Sequence, residues 1–288
     1  MGIIACLIGA LIQSAKDLTS KRLAFVADGL TSTFGSFAFA LPYYVAALGA
    51  AWYFGFESFA VGSSFLFLVV LRAISDSGAE YLKMEAMRRG DISLLTSFMQ
   101  LSPVFILLLS PLISGDHLSW IGIVGVLIVV SGGLVIIPRA DAGGERKASL
   151  QGVILSVASA LCFAVNSCLD RLAVQQASPL VAGFSMTLMA GIFFSPVLLS
   201  RGRTAVLRSQ FHFFSLRGLF EIGQMFTKLY ALQHLQTAYV ASIFRVSILL
   251  SVVGGYVLFR ERDFGKRLLA GALTMLGVIL ISVGIYQD

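Results

Sequence analysis

Residues 65–87 have the sequence FLFLVVLRAISDSGAEYLKMEAM, an apolar run whose charged residues include Arg72, Asp76, Glu80 and Lys83. In a helix these charges lie four, four and three residues apart, so they share one face. The run is long enough to cross a bilayer, which takes about 20 residues. Each charge at the bilayer centre costs about 3 kcal/mol, whereas each large apolar side chain returns only about 0.3–0.6 kcal/mol. The charged face is therefore predicted to contact protein or a wet cavity rather than lipid.

The same charge pattern returns in a second apolar run, residues 212–235, which carries Arg217, Glu221 and Lys228. The differences 217 − 72, 221 − 76 and 228 − 83 all equal 145. An internal duplication in a membrane protein points to transport, with the site between the repeats. The alternative is an Arg–acid pair within each helix that only neutralises itself, which leaves both lysines unexplained.

The composition excludes a soluble globular protein. Of 288 residues, 57% are hydrophobic and only 12% are charged, which fits a helical membrane protein. The net charge of +6 is no nucleic-acid signal, because most Lys and Arg residues lie in short connections between apolar runs. No Cys/His spacing resembles a metal site and no His-Glu-x-x-His motif is present. We therefore predict no cofactor, no metal and no enzymatic activity.

The hydrophobic runs predict an all-α integral membrane protein with ten transmembrane helices. Their approximate bounds are Gly2–Ala24, Leu30–Phe54, Ala60–Met87, Ile92–Ser114, Leu118–Ile137, Leu150–Val174, Pro179–Ser200, His212–Leu235, Thr237–Phe259 and Lys266–Tyr286. The polar linker Pro138–Ser149 divides the chain into two five-helix repeats, residues 1–144 and 145–288. Because each repeat has an odd number of helices, the second copy is predicted to be inverted in the membrane.

The charges of the connections predict the topology. Lys and Arg cluster after the first, third, fifth, seventh and ninth segments, whereas connections 2, 4 and 8 contain none and connection 6 has only Arg171 at its edge. By the positive-inside rule, the odd-numbered connections are cytoplasmic and both termini are non-cytoplasmic. We expect a multi-pass protein of the cell (inner or plasma) membrane.

The first and sixth segments contribute further candidates. The tripeptide Arg-Leu-Ala occurs at 22–24 and at 171–173, an offset of 149 that places Asn166 opposite Asp17. Asp17 is predicted to face a polar interior, since a mid-helix carboxylate is costly in lipid. Lys16 has two interpretations: it faces the same interior, or it snorkels toward the cytoplasmic interface.

The fourth and ninth segments place Gln100 and Arg245 at corresponding positions, again 145 residues apart. Arg245 lies too deep in its segment for easy snorkelling. Its guanidinium offers a fixed fork of donors suited to a carboxylate or phosphate. It either contacts substrate or pairs with Glu221 or Asp76.

Small residues recur in the fifth and tenth segments and would let two helices approach closely. We favour packing within the monomer over a dimer interface. The residues are Gly122, Gly125, Ser131, Gly132, Gly133, Gly271 and Gly277.

Several local patterns resemble the drug/metabolite transporter superfamily, in particular its EamA-type members. Ser102-Pro103 precedes an apolar run that ends at the Gly115-Asp116 turn, Arg260-Glu261 closes the ninth segment, and residues 271–277 read GALTMLG. The resemblance implies a ten-helix secondary transporter of small metabolites. It also implies a central cavity lined mainly by helices 1, 3, 4, 6, 8 and 9.

These observations predict a solute transporter that alternates access around a midplane cavity. The substrate-binding candidates are Arg72, Lys83, Arg217, Lys228, Arg245, Gln100, Asn166 and Lys16. The proton-coupling or ion-pair candidates are Asp17, Asp76, Glu80 and Glu221.

The excess of positive over negative charge among these candidates predicts a small substrate with a carboxylate or phosphate, including amino-acid-like zwitterions. The alternative is a flippase for a lipid-linked, phosphate-containing intermediate. The expected partners are this substrate and the lipid bilayer, with no nucleic acid.

Overall fold

A computed structural model of the chain describes residues 1–23, 26–55, 60–88, 101–135, 150–196, 201–247, 250 and 264–285. These residues contain eleven helices and no strand. The helices are α1 Gly2–Leu23, α2 Gly29–Tyr53, α3 Phe65–Arg88, α4 Ser102–Ile113, α5 Trp120–Val135, α6 Leu150–Gln176, α7 Pro179–Phe194, α8 Arg201–Ser209, α9 Phe211–His234, α10 Thr237–Ile243 and α11 Phe264–Ile285.

Short polar signals set the ends of several helices. Asp28 caps α2, since its side chain accepts a hydrogen bond from the Thr31 amide, and Ser178 caps α7 in the same way through Val181. Pro179 follows Ser178 in the first turn of α7, where its missing N–H is not needed. Gly55 follows α2 with a φ of 69°, a conformation that favours glycine.

Three of the described helices are long and apolar enough to cross a membrane: Gly2–Ser20, Leu30–Tyr53 and Gln151–Gln176. Helices α3 and α9 have comparable length, with 24 residues each, but carry the ionised residues noted above. The apolar helices α4, α5 and α7 are shorter.

The predicted segments and the described helices agree in order. The predicted start of the fourth segment at Ile92 and the predicted ends at Ile137, Ser200 and Phe259 lie outside the described residues. Two differences stand out. The predicted connection after the seventh segment contains a short helix, α8. In the ninth segment α10 ends at Ile243, and residues 244–245 form a turn. The linker Pro138–Ser149, with the proposed repeat boundary, lies outside the described residues.

The chain packs as two compact units. Unit 1 contains residues 1–73 and 170–234, and unit 2 contains residues 74–169 and 235–288. In unit 1, α9 packs on α1 and on α2, and α2 also packs on α7. Gly218 allows the close approach of α9 to α2, because a Cβ there would lie 2.5 Å from the Phe39 carbonyl carbon. Apolar side chains from several helices fill one core of unit 1, namely Leu23, Phe34, Phe194, Leu207 and Phe214.

In unit 2, α5 packs along α11. Gly125 and Gly277 lie at the crossing, so these two glycines serve packing within the chain, and the preference for a monomer stays a prediction. The Gly115-Asp116 turn positions α10, because the buried Asp116 carboxylate accepts a hydrogen bond of 2.8 Å from the Thr237 amide. Such a cap satisfies one of the amides that a helix leaves without an internal partner.

Candidate functional site

Helix α9 presents a polar stripe in unit 1. Arg217, Glu221, Gln224 and Lys228 follow one another at spacings of four, three and four residues, which places them on one face. Gln224 is buried, and the other three are partly buried. The three charged residues share the face that their spacing predicts, and Gln224 adds an uncharged member to it; their role in substrate binding stays a prediction.

Lys16 on α1 contacts this stripe. Its Nζ lies 3.4 Å from Glu221 Oε2 and 3.3 Å from Gln224 Oε1. The Lys16 side chain therefore faces the interior and does not snorkel toward the cytoplasmic interface. The neighbouring Asp17 accepts a hydrogen bond of 2.8 Å from Gln13, one turn earlier on α1.

Asp170, near the end of α6, is a candidate that the charge spacing did not identify. Its side chain is 0% exposed, and each of its oxygens binds a different cation. Arg72 Nε donates to Oδ1 over 3.1 Å, and Lys228 Nζ donates to Oδ2 over 2.7 Å. The signal was available, because Asp170 lies four residues after Asn166 and an acid inside an apolar segment needs a partner. Arg72 thus binds an acid on another helix.

Arg217 extends the stripe toward α2. Its Nη1 donates to the carbonyl oxygen of Ser32 over 2.8 Å and also contacts the Ser32 hydroxyl. Arg217, Lys16 and Arg72 all lie within electrostatic reach of the Glu221 carboxylate. We call Lys16, Arg72, Asp170, Arg217, Glu221, Gln224 and Lys228 the unit 1 charge cluster.

The remaining candidates belong to unit 2. Asn166 Nδ2 donates to Asp76 Oδ1 over 3.0 Å, and both side chains are buried. Lys83 Nζ lies 5.8 Å from the centre of the Phe163 ring, within the range of a cation–π contact.

Arg245 occupies the turn after α10, where its amide donates to the Ser242 carbonyl over 3.0 Å. This bond spans three residues, as in a 3₁₀ turn rather than the continuous α-helix that we predicted. Gln100 lies outside the described residues, as does the side chain of Glu80.

The unit 1 charge cluster is suited to holding an oxyanion. It contains four cations and two carboxylates, so positive charge is in excess, and the Lys and Arg groups supply only hydrogen-bond donors. The described residues contain no group of three or more metal-ligating side chains. Lys and Arg donors of this kind bind oxyanions through charge and hydrogen bonds.

Comparison with known proteins gives one family and one fold. Residues 1–137 and 150–283 each match the model of the EamA-like transporter family. A solved structure described only as "Crystal structure of protein" is similar over 99% of this chain and 98% of its own, with a TM-score of 0.77 and 17% identity. At that identity the likeness concerns the fold alone. No curated protein matches the chain.

Proposed function

Because the chain belongs to the EamA-like transporter family, and is therefore a helical membrane transporter with two repeats, we propose that it moves a small metabolite bearing a carboxylate or phosphate. We place the protein in the cell membrane and propose that it works by alternating access without a catalytic step.

The unit 1 charge cluster is the observation that supports this proposal. Ionised side chains from α1, α3, α6 and α9 converge there, although each is costly in a membrane protein. The pairs Lys16–Glu221, Arg72–Asp170 and Lys228–Asp170 each connect two helices, so pairing within one helix does not by itself account for the cluster. Polar groups kept at such a cost in transporters usually line a substrate or ion pathway.

The chemistry of the cluster favours an anionic group on the substrate. Arg72 supplies a planar fork of donors, whereas Lys16 and Lys228 act as compact charges, and both kinds of cation bind carboxylates and phosphates. Glu221 could accept hydrogen bonds from an amine on the same substrate. Amino-acid-like zwitterions therefore fit the cluster as well as phosphorylated metabolites do.

A ligand screen followed by transport assays tests the function. Thermal stabilisation of the purified protein by amino acids, nucleotides and sugar phosphates selects a substrate, whose uptake is then measured in proteoliposomes. We expect Lys228→Gln to reduce uptake at least tenfold, because losing one charged contact costs about 2–5 kcal/mol. Arg208→Gln is the matched control, since Arg208 is an exposed cation on α8.

The same uptake assay tests Arg245, the candidate binding residue in unit 2. We expect Arg245→Ala to reduce uptake if this side chain contacts the substrate. Uptake at the wild-type rate by both Lys228→Gln and Arg245→Ala, with each variant monodisperse on size exclusion, would remove the site assignment.

A further inference from the structure

Each oxygen of the Asp170 carboxylate binds a cation in the structure. Arg72 holds Oδ1 and Lys228 holds Oδ2, and the two cations come from different helices, α3 and α9. A substrate carboxylate or phosphate that binds Lys228 must therefore share the ammonium with Asp170 or replace it. The structure thus shows an internal anion at the position where the proposed function needs an external one.

The two cations differ in ways that make Lys228 the exchangeable partner. The Lys228 side chain is 20% exposed, against 11% for Arg72, so Lys228 is the less enclosed of the two cations. A lysine ammonium has three rotatable donors on a flexible stem, whereas the arginine fork is rigid. Asp170 is the one described partner of the Lys228 side chain, so an incoming anion can first bind a remaining donor of the ammonium and then displace Asp170.

We propose that Asp170 is an internal counter-ion that the anionic group of the substrate displaces from Lys228. In the empty protein Asp170 neutralises Lys228. In the loaded protein the substrate anion takes this contact, and Arg72 retains Asp170. Arg72 is then a positioning residue, and Lys228 is the binding residue. This inference rests on the proposed transport function and adds the residue that competes with the substrate.

The energetics suit a transporter. An isolated ammonium is expensive to bury, so a permanent counter-ion lets the empty site persist in the membrane. When the substrate carboxylate replaces Asp170 at Lys228, one ion pair is lost as a similar one forms, so the free energy of substrate binding stays small. Weak binding favours release, because a transport site has to let its substrate leave. A cation without an internal partner would bind the same anion more tightly.

The experiment compares four proteins with two probe anions, inorganic phosphate and acetate. Wild type, Asp170→Asn, Lys228→Gln and the control Asp28→Asn are titrated, and thermal stabilisation gives the half-saturating concentration for each anion. Asp170→Asn keeps the shape of the side chain but removes its charge. We expect its half-saturating concentration to fall about tenfold, equivalent to about 1.4 kcal/mol. Lys228→Gln should lose the response, and Asp28→Asn should match wild type.

Asp170→Asn leaves two cations without their carboxylate and could misfold, so a second variant tests the same inference. Arg72→Gln combined with Asp170→Asn preserves the net charge of the cluster and still frees Lys228. We expect the same gain in affinity from this pair of substitutions. If Asp170 only holds the helices together, both variants will bind the anions no more tightly than wild type, and that result overturns the inference.

The inference and the function fail in different ways. Tighter anion binding by Asp170→Asn with no uptake of any substrate by wild type would uphold the exchange and refute transport. Uptake by wild type with unchanged anion affinity in Asp170→Asn would uphold transport and refute the exchange. Binding at unchanged or weaker affinity is evidence against Asp170 as a competitor in either case.

Discussion

Asp28 shows how one side chain between two helices combines a cap with an ion pair. Its Oδ1 accepts a hydrogen bond from the Thr31 amide, and its Oδ2 lies 3.0 Å from Arg203 Nη2. Partial burial acts to raise the pKa of Asp28, but the hydrogen bonds from Thr31 and the charge of Arg203 outweigh it and hold the pKa below its ordinary value. The folded protein thus favours the charged form of the Asp28 carboxylate more than the unfolded chain does.

This shift predicts a pH-dependent loss of stability. A carboxylate whose pKa is lower in the folded state stabilises the protein above the unfolded pKa of about 4. That contribution is lost as the pH falls through the folded pKa. The Asp28 side chain is 48% exposed, so solvent screening limits the effect to a few tenths of a kcal/mol.

The measurement is thermal unfolding of wild type and Asp28→Asn at neutral and at acidic pH. Asn keeps a capping oxygen, so the variant isolates the charge. We expect wild type to unfold at a slightly higher temperature at neutral pH, and the difference to vanish well below pH 4. A difference that widens on acidification would contradict the assignment.

The crossing of α5 and α11 depends on the absence of side chains. A Cβ added at Gly277 would lie 2.6 Å from the Gly125 carbonyl oxygen and 2.9 Å from the Val129 amide nitrogen. Both are backbone atoms, so neither moves out of the way by changing rotamer. We expect Gly277→Ala to destabilise unit 2 by about 1–3 kcal/mol, as overpacking does.

Gly49→Ala is the matched control for this prediction. Gly49 lies inside α2, where an added Cβ would meet nothing within 4 Å. Because alanine is the better helix former, we expect the control to be neutral or stabilising by up to about 1 kcal/mol. Thermal unfolding in detergent compares the two variants. Equal losses in both would show that the close approach of α5 and α11 contributes nothing specific.

Hydrophobic run length predicted the helices well because a spanning helix needs a long apolar stretch. Run length did not predict the helix and the turn whose positions depend on other interactions. The short helix α8 is rich in arginine and has no long apolar run, yet its Leu207 packs into the core of unit 1. Likewise hydropathy does not report the turn at Phe244–Arg245, because the residues on both sides of it are equally apolar.

The orientation of the chain in the membrane is a prediction for the entire protein. The distribution of Lys and Arg among the connections predicts that both termini are non-cytoplasmic. A C-terminal fusion to a reporter that folds only outside the cytoplasm should be active, and a fusion to a cytoplasmic reporter should be inactive. The reverse result would show that the positive-inside rule fails for this chain.

The composition of the candidate site was only partly predictable. Charge spacing identified Arg72, Glu221 and Lys228 and the helix faces that carry them. It did not identify their partners, because a period of 3.6 residues gives direction around a helix but not which helix lies opposite. Asp170 could be recognised as an acid inside an apolar segment, but its role could not, since that role comes from the two cations that meet it.

The pairing of Asp170 also sets an order of events during synthesis. Arg72 precedes Asp170 by 98 residues, and Lys228 follows Asp170 by 58. At about 5–20 residues per second, the ribosome finishes Arg72 roughly 5–20 s before it makes the matching carboxylate. We therefore expect the ion pair between Arg72 and Asp170 to form only after α6 has emerged, well after the third helix has been made.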